Sequence, residues 1–107
     1  MVDRSILKII KQYLAALPKM GIHPTRAILY GSYSRGDANE WSDIDIVVIA
    51  PEFDGKVKRK LVEDTWLATK YADDRIEPVP CGVKEWDNVD SRPIIDIARR
   101  DGVVVEA

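Results

Sequence analysis

Residues 30–49, YGSYSRGDANEWSDIDIVVI, join a glycine turn to a pair of carboxylates. The apolar run 27–30 passes directly into Gly31, so the chain is predicted to leave a buried strand through this turn. Because Gly31 has no Cβ, a ligand can approach its backbone closely. Ser32 is expected to cap a short helix through Arg35, leaving backbone N–H groups and a guanidinium beside a phosphate. The segment therefore predicts a phosphate-binding turn.

A second predicted strand begins with two carboxylates. The run 44–49 is dense in β-branched residues and is predicted to be buried on both faces beyond its start. Side chains alternate along a strand, so Asp43 and Asp45 share one face and repel each other unless a cation lies between them. Mg²⁺ prefers such oxygen ligands. An Asp-X-Asp alone is also typical of a solvated loop end, but nothing structural requires two acids to enter a buried strand.

A phosphate-binding turn and paired carboxylates at the ends of neighbouring strands are typical of phosphoryl or nucleotidyl transfer. Metal ions in such sites bridge phosphate oxygens and neutralise the charge that develops during an in-line displacement. A Gly-Ser turn alone is usually only a turn. The combination favours a transfer site.

The stretch resembles the nucleotidyltransferases of the DNA polymerase β superfamily, and among them the small stand-alone minimal nucleotidyltransferase (MNT) domains. The shared pattern appears here as Gly31-Ser32, Arg35-Gly36 and Ser42-Asp43-Ile44-Asp45. The resemblance implies that Gly31 and Ser32 hold the triphosphate and that Arg35 assists there or shapes the turn. It also implies that Asp43 and Asp45 bind two Mg²⁺ ions.

Residues 75–80, RIEPVP, are predicted to form an edge strand, because proline cannot donate to a central ladder. The family carries its third catalytic carboxylate on a strand in this position, and the resemblance assigns that role to Glu77. Family members more often have aspartate there, so Glu77 departs from the pattern. Asp73 and Asp74, in the predicted turn before the strand, are alternatives, and Glu77 is also compatible with an ordinary charged edge residue.

The fold class that follows is α+β in two layers, a polymerase-β-like nucleotidyltransferase fold with a small mixed β-sheet and helices packed on one face. Residues 1–107 are expected to form a single nucleotidyltransferase domain. The remaining predicted elements are amphipathic helices over 3–17 and 56–72, an ordered loop over 81–92, a last helix from Pro93 with Ile94, Ile97 and Ala98 as its apolar face, and a terminal strand over 103–105.

Three surface features have alternative interpretations. Val62 and Trp66 form a second apolar patch on the helix 56–72, which suits a dimer, a partner contact or packing under the following loop. The basic residues near that helix start are predicted to be a solvated face, with phosphate or RNA binding as the weaker alternative. Trp41 and Trp86 are expected to cover apolar surface rather than stack on a base. The basic residues are Lys56, Lys58, Arg59 and Lys60.

Composition excludes several classes of protein. The formal net charge of −2 argues against a broad nucleic-acid interface. Cys81 is the only cysteine, so no intrachain disulfide forms. No apolar run approaches the roughly 18 residues of a membrane span, and the N-terminus lacks a signal-peptide pattern. A cytoplasmic protein without a membrane partner is expected.

Together these observations predict an Mg²⁺-dependent nucleotidyltransferase. Asp43, Asp45 and Glu77 would hold the metal and ATP, and an acceptor hydroxyl would attack the α-phosphate and release pyrophosphate. Family members of this length often occur beside a helical HEPN protein in toxin–antitoxin pairs, which implies an antitoxin role and a protein acceptor. A second hypothesis is a non-catalytic module that neutralises a partner by contact, and it does not require Mg²⁺-ATP binding. A nucleic-acid end-modifying polymerase fits the acidic balance poorly.

Overall fold

The computed structural model describes residues 2–88 and 92–107. Within these ranges, no helix is both long and apolar enough to cross a membrane. Short 3-10 turns follow several elements, at Leu17–Met20, Pro51–Phe53 and Ala68–Tyr71. The elements in chain order are α1 (Arg4–Ala16), β1 (Arg26–Tyr30), α2 (Ser32–Arg35), β2 (Ile44–Ile49), α3 (Arg59–Leu67), β3 (Ile76–Cys81), α4 (Val83–Asp87), α5 (Pro93–Asp101) and β4 (Val103–Glu106).

The four strands form one mixed sheet in the order β3-β2-β1-β4. The central strand β1 is antiparallel to both β2 and β4, whereas β2 and β3 are parallel. Side chains of β1 and β2 are buried on both faces, as their continuous apolar runs predict. The predicted mixed sheet, the terminal strand and the edge position of β3 are confirmed.

The prolines of β3 lie where the strand needs no donor. The N–H of Ile44 donates to the carbonyl of Arg75, so every second residue counted from Arg75 faces β2. Pro78 and Pro80 fall on the alternate positions, so their backbone groups face away from β2. They therefore leave the ladder to β2 intact and close this edge to a further strand.

Helices cover both faces of the sheet. The first face packs under α1, whose Ile6, Ile10, Tyr13 and Leu14 are buried as their helical spacing predicts, and under the 3-10 turn after α3. The second face packs under α5, where Ile95 and Ala98 contact Ile28 and Val47 in one cluster. The mixed α/β fold is confirmed, but the expectation of helices on one face is wrong in this detail. Two central strands that are apolar on both sides need cover on both.

The segment 81–92, predicted to be a loop, contains the short helix α4. The carboxylate of Asp54 accepts hydrogen bonds from the backbone N–H groups of Val83, at 3.1 Å, and Lys84, at 3.0 Å. A side chain from a distant turn thus satisfies the first donors of the helix. Residues 89–91 of the predicted loop lie outside the described residues.

Two helices differ from their predicted faces or bounds. The helix α3 begins at Arg59, so Lys56 and Lys58 precede it. In α5, Ile95 is buried in place of Ile97, which is 43% exposed. On α3, Trp66 is 48% exposed in the part of the chain that the structure describes, which favours a dimer or partner contact over packing under the following loop.

Candidate active site

Asp45 and Glu77 lie at the same end of the parallel strands β2 and β3. They are register partners, and each is the second residue of its strand. Asp43 precedes Asp45 by two positions and therefore lies on the same face. The parallel pairing therefore places Glu77 beside the Asp43–Asp45 pair, which was predicted from a separate part of the sequence.

Burial and neighbouring negative charge oppose the ionisation of Asp45 and of Glu77. Burial and the charge of Asp43 raise the pKa of Asp45 above its ordinary value, while Glu77 and Arg35 act in the opposite direction. Burial and the charges of Asp43 and Asp45 also raise the pKa of Glu77. Clustered carboxylates of this kind are stabilised in their charged form by an added cation.

Gly31 packs directly against Asp45. Its φ of 76° lies in the left-handed region, which favours glycine. A Cβ built at this position would lie 2.6 Å from Oδ2 of Asp45, closer than real side chains approach. The preceding residue, Tyr30, is the register partner of Asp45 on β2. The turn after β1 is therefore held against the carboxylates, as the sequence suggested, and it tolerates no side chain there.

Ser32 is the first residue of α2 and not its cap, which corrects the predicted capping. Gly31 occupies the capping position, and no side chain caps the helix. The hydroxyl of Ser34 donates to the carbonyl of Gly31 at 2.9 Å. The Ser32 hydroxyl has no hydrogen-bond partner within the described residues. The Arg35 side chain is largely exposed and pairs with Asp37 at 3.3 Å, so it is free to turn toward a ligand.

Arg75 forms hydrogen bonds with two segments beside the candidate site, a role that the sequence did not predict. Its guanidinium donates to the hydroxyl of Tyr33 at 3.0 Å and to the carbonyl of Glu40 at 3.2 Å. The Tyr33 hydroxyl donates in turn to the carbonyl of Asn39 at 3.1 Å. The loop before Asp43 is thereby fixed to both α2 and the start of β3.

Asp73, one of the alternatives to Glu77, is occupied elsewhere. Nη2 of Arg75 donates to its Oδ2 at 2.8 Å, and Nε of Arg75 donates to its Oδ1 at 3.0 Å. These hydrogen bonds lower the pKa of Asp73. The other alternative, Asp74, is exposed in the turn before β3. Of the three acids, only Glu77 is in register with Asp45.

Trp41 and Trp86 differ in environment. Trp86 packs on the second face of the sheet, with the guanidinium of Arg99 5.0 Å from its ring centroid, and its predicted packing role is confirmed. Trp41 is 81% exposed, so the expectation that it covers apolar surface is wrong. Its backbone N–H donates to Oδ1 of Asn39 at 2.9 Å, which holds the loop while the ring extends into solvent.

Within residues 2–88 and 92–107, no group of three or more His, Cys, Asp or Glu side chains is arranged to hold a metal ion by itself. Mg²⁺ seldom requires a site made entirely of protein side chains. It is commonly bound by one or two carboxylates and completes its octahedral shell with water and substrate phosphates. The oxygen donors at the start of β2 and β3 have the chemistry for this mode of binding.

A family model covers most of the chain, and one curated relative matches part of it. Residues 7–104 match a family model described as a nucleotidyltransferase domain. A protein of Methanocaldococcus jannaschii, named "Putative protein adenylyltransferase", is 40% identical over 48 residues, which cover 44% of this chain and 46% of the relative. The match thus spans about half the length of this curated relative.

Proposed function

Because the chain belongs to the nucleotidyltransferase domain family, we propose that it transfers AMP from ATP to a hydroxyl group of an acceptor protein. One observation carries the proposal: Asp45 and Glu77 are register partners at one end of the sheet, Asp43 lies two positions before Asp45, and the Gly31 turn packs against Asp45. The choice of an adenylyl group and of a protein acceptor is supported by the name of the archaeal relative.

Each residue has a distinct part in this reaction. Asp43, Asp45 and Glu77 would hold Mg²⁺, which would supply positive charge to offset that of the phosphates. The Gly31 backbone and the Ser32 hydroxyl, with the Arg35 guanidinium beside them, bind the outer phosphates. The Glu77 carboxylate orients the acceptor hydroxyl and accepts its proton. The acceptor oxygen bonds to the α-phosphorus as the bond to pyrophosphate breaks.

The proposal is tested by comparing two carboxylate-to-amide variants with [α-³²P]ATP and [γ-³²P]ATP. Only the α-labelled phosphate should become attached to the acceptor protein, because the β- and γ-phosphates leave as pyrophosphate. Asp45→Asn should lower labelling by about 100-fold or more while the melting temperature stays near that of the wild type. Glu63→Gln, on the exposed face of α3 where Glu63 pairs with Arg59, is the matched control and should label normally. Normal labelling by Asp45→Asn, or transfer of the γ-label, would refute the proposal.

We extend the proposal to the partner. The resemblance of the Gly-Ser and Asp-X-Asp segments to MNT domains supports a HEPN-type toxin whose tyrosine hydroxyl accepts AMP, with this chain as the antitoxin. In cells that express a HEPN-type protein from the same genome, the wild-type chain should restore growth and Asp45→Asn should not. Equal rescue by Asp45→Asn would support the alternative, a module that neutralises its partner by contact alone.

A further inference from the structure

The outer edge of β4 has hydrogen-bonding groups that no strand of the described chain satisfies. The N–H of Ala107 donates to the carbonyl of Thr25, so the odd-numbered residues of β4 face β1. The N–H and C=O groups of Val104 and Glu106 therefore point away from the sheet. Any strand that pairs with this edge must bond to these two residues.

The two edges of the sheet are protected differently. The edge at β3 carries Pro78 and Pro80 at its outward positions and cannot extend the ladder. The edge at β4 carries no proline, and its central side chain, Val104, is 53% exposed. Open apolar edges are templates for pairing with another chain.

An exposed apolar side chain accompanies this edge on the second face of the sheet. Arg99 of α5 lies over Trp86, on the side of α5 toward β3. Helical spacing places Ile97 on the opposite flank of α5, toward β4. Ile97 is 43% exposed. It therefore extends the apolar surface that begins at Val104.

We propose that β4 pairs with β4 of a second copy, antiparallel across a two-fold axis, and so joins two sheets into one of eight strands. The register that places Val104 opposite Val104 pairs the N–H and C=O groups of the two Val104 residues. The Glu106 N–H can donate to the Gly102 carbonyl, while the Gly102 N–H remains bonded to the carbonyl of Ala98. This register also places Glu106 opposite Gly102, so no like charges face each other directly. The two Val104 side chains then lie side by side on the face that carries Ile97.

A second copy fits this edge because the two-fold axis is normal to the sheet. Each face of one sheet therefore continues into the same face of the other. The two α5 helices then flank the seam on one face and the two α1 helices flank it on the other. Beside α1, an apolar cavity of about 290 Å³ opens next to the end of β4, lined by Leu14, Ala15, Pro18, Pro24 and Ala107 among others. Stable interfaces bury about 1,200–2,000 Å² in total, more than two short strands provide, and these flanks contribute the additional apolar area.

The first test is the solution mass of the full chain and of charge variants at Val104. At concentrations up to about 100 μM, sedimentation should give twice the 12.1 kDa of the chain. Val104→Lys and Val104→Glu should each weaken the dimer by about tenfold or more, because like charges meet across the axis. An equimolar mixture of the two should restore a heterodimer. Val104→Ala keeps the N–H group and is the matched control, which should remain dimeric.

Amide hydrogen exchange of the wild type gives a second readout that does not depend on how the variants fold. The amides of Val104 and Glu106 should be protected at high concentration and should exchange faster on dilution. A wild type that is monomeric at about 100 μM overturns the proposal, and so does a Val104→Lys variant that dimerises as tightly as the wild type. Failure of the mixed variants to associate overturns the proposed register.

Discussion

Asp45 and Glu77 are register partners on parallel strands, so their side chains leave the sheet at the same level. The Glu77 side chain is one methylene longer than an aspartate at the same position would be. We expect Glu77→Gln to lower the transfer rate by about 100-fold or more, because an amide neither binds Mg²⁺ well nor accepts a proton. Glu77→Asp should retain measurable activity. Initial rates with [α-³²P]ATP check both, and a fully active Glu77→Gln would contradict the assigned role.

Gly31 and Gly36 form a matched pair for measuring the contact with Asp45. Both have positive φ, but a Cβ at Gly36 meets open space, whereas one at Gly31 meets the Asp45 carboxylate. Gly36→Ala should lower the free energy of unfolding by about 1–2 kcal/mol through backbone strain alone. Gly31→Ala should lower it further and abolish stabilisation by Mg²⁺-ATP. Urea denaturation with and without Mg²⁺-ATP measures both effects, and identical behaviour of the two variants would argue against the close contact.

The hydrogen bonds between Arg75 and Asp73 should make the protein sensitive to acid. They lower the pKa of Asp73 below its ordinary value of 3.8. Below pH 3.8 the unfolded chain binds this proton more readily than the folded one, so the contribution is complete above that pH and is lost as the pH falls. Between about pH 6 and pH 3, the wild type should therefore lose more unfolding free energy than Arg75→Gln. If urea denaturation shows equal losses of unfolding free energy in the two proteins, the Arg75–Asp73 pair adds no stability.

Cys81 should have the opposite dependence, at alkaline pH. Burial raises the pKa of its thiol from 9.0 to about 12. The unfolded thiol loses its proton first, so stability falls as the pH rises from 9.0 toward about 12. As the pH rises, the free energy of unfolding should fall more steeply for the wild type than for Cys81→Ala, which keeps all the other titrating groups. The thiol should also react slowly with a disulfide reagent near neutral pH until the protein unfolds.

Local sequence patterns predicted the elements whose structure is decided locally. The 3.6-residue spacing of apolar side chains predicted α1, a short apolar run predicted β1, and a β-branched run predicted β2. The prolines placed β3 at an edge, because they remove donors that an inner strand needs. Alternation along β2 was enough to place Asp43 and Asp45 on one face.

Features that depend on distant contacts were missed. The helix α4 is five residues long, too short for a periodic pattern, and it is capped by Asp54, 29 positions before Val83. The fixing of the loop before Asp43 depends on Arg75, 42 positions after Tyr33. The position of Glu77 beside Asp45 depends on strand register, and family resemblance, not spacing, pointed to it.

The strand order also bears on synthesis of the chain. The central strand β1 is made early, and its pairing with β2 needs only a short connection. Its other neighbour, β4, is the last element of the described chain. While the ribosome is still translating the segment between them, one edge of a strand with four consecutive apolar residues has no native partner. Nascent chains are therefore most exposed to misassociation during this interval, and a chaperone that shields β1 would act there.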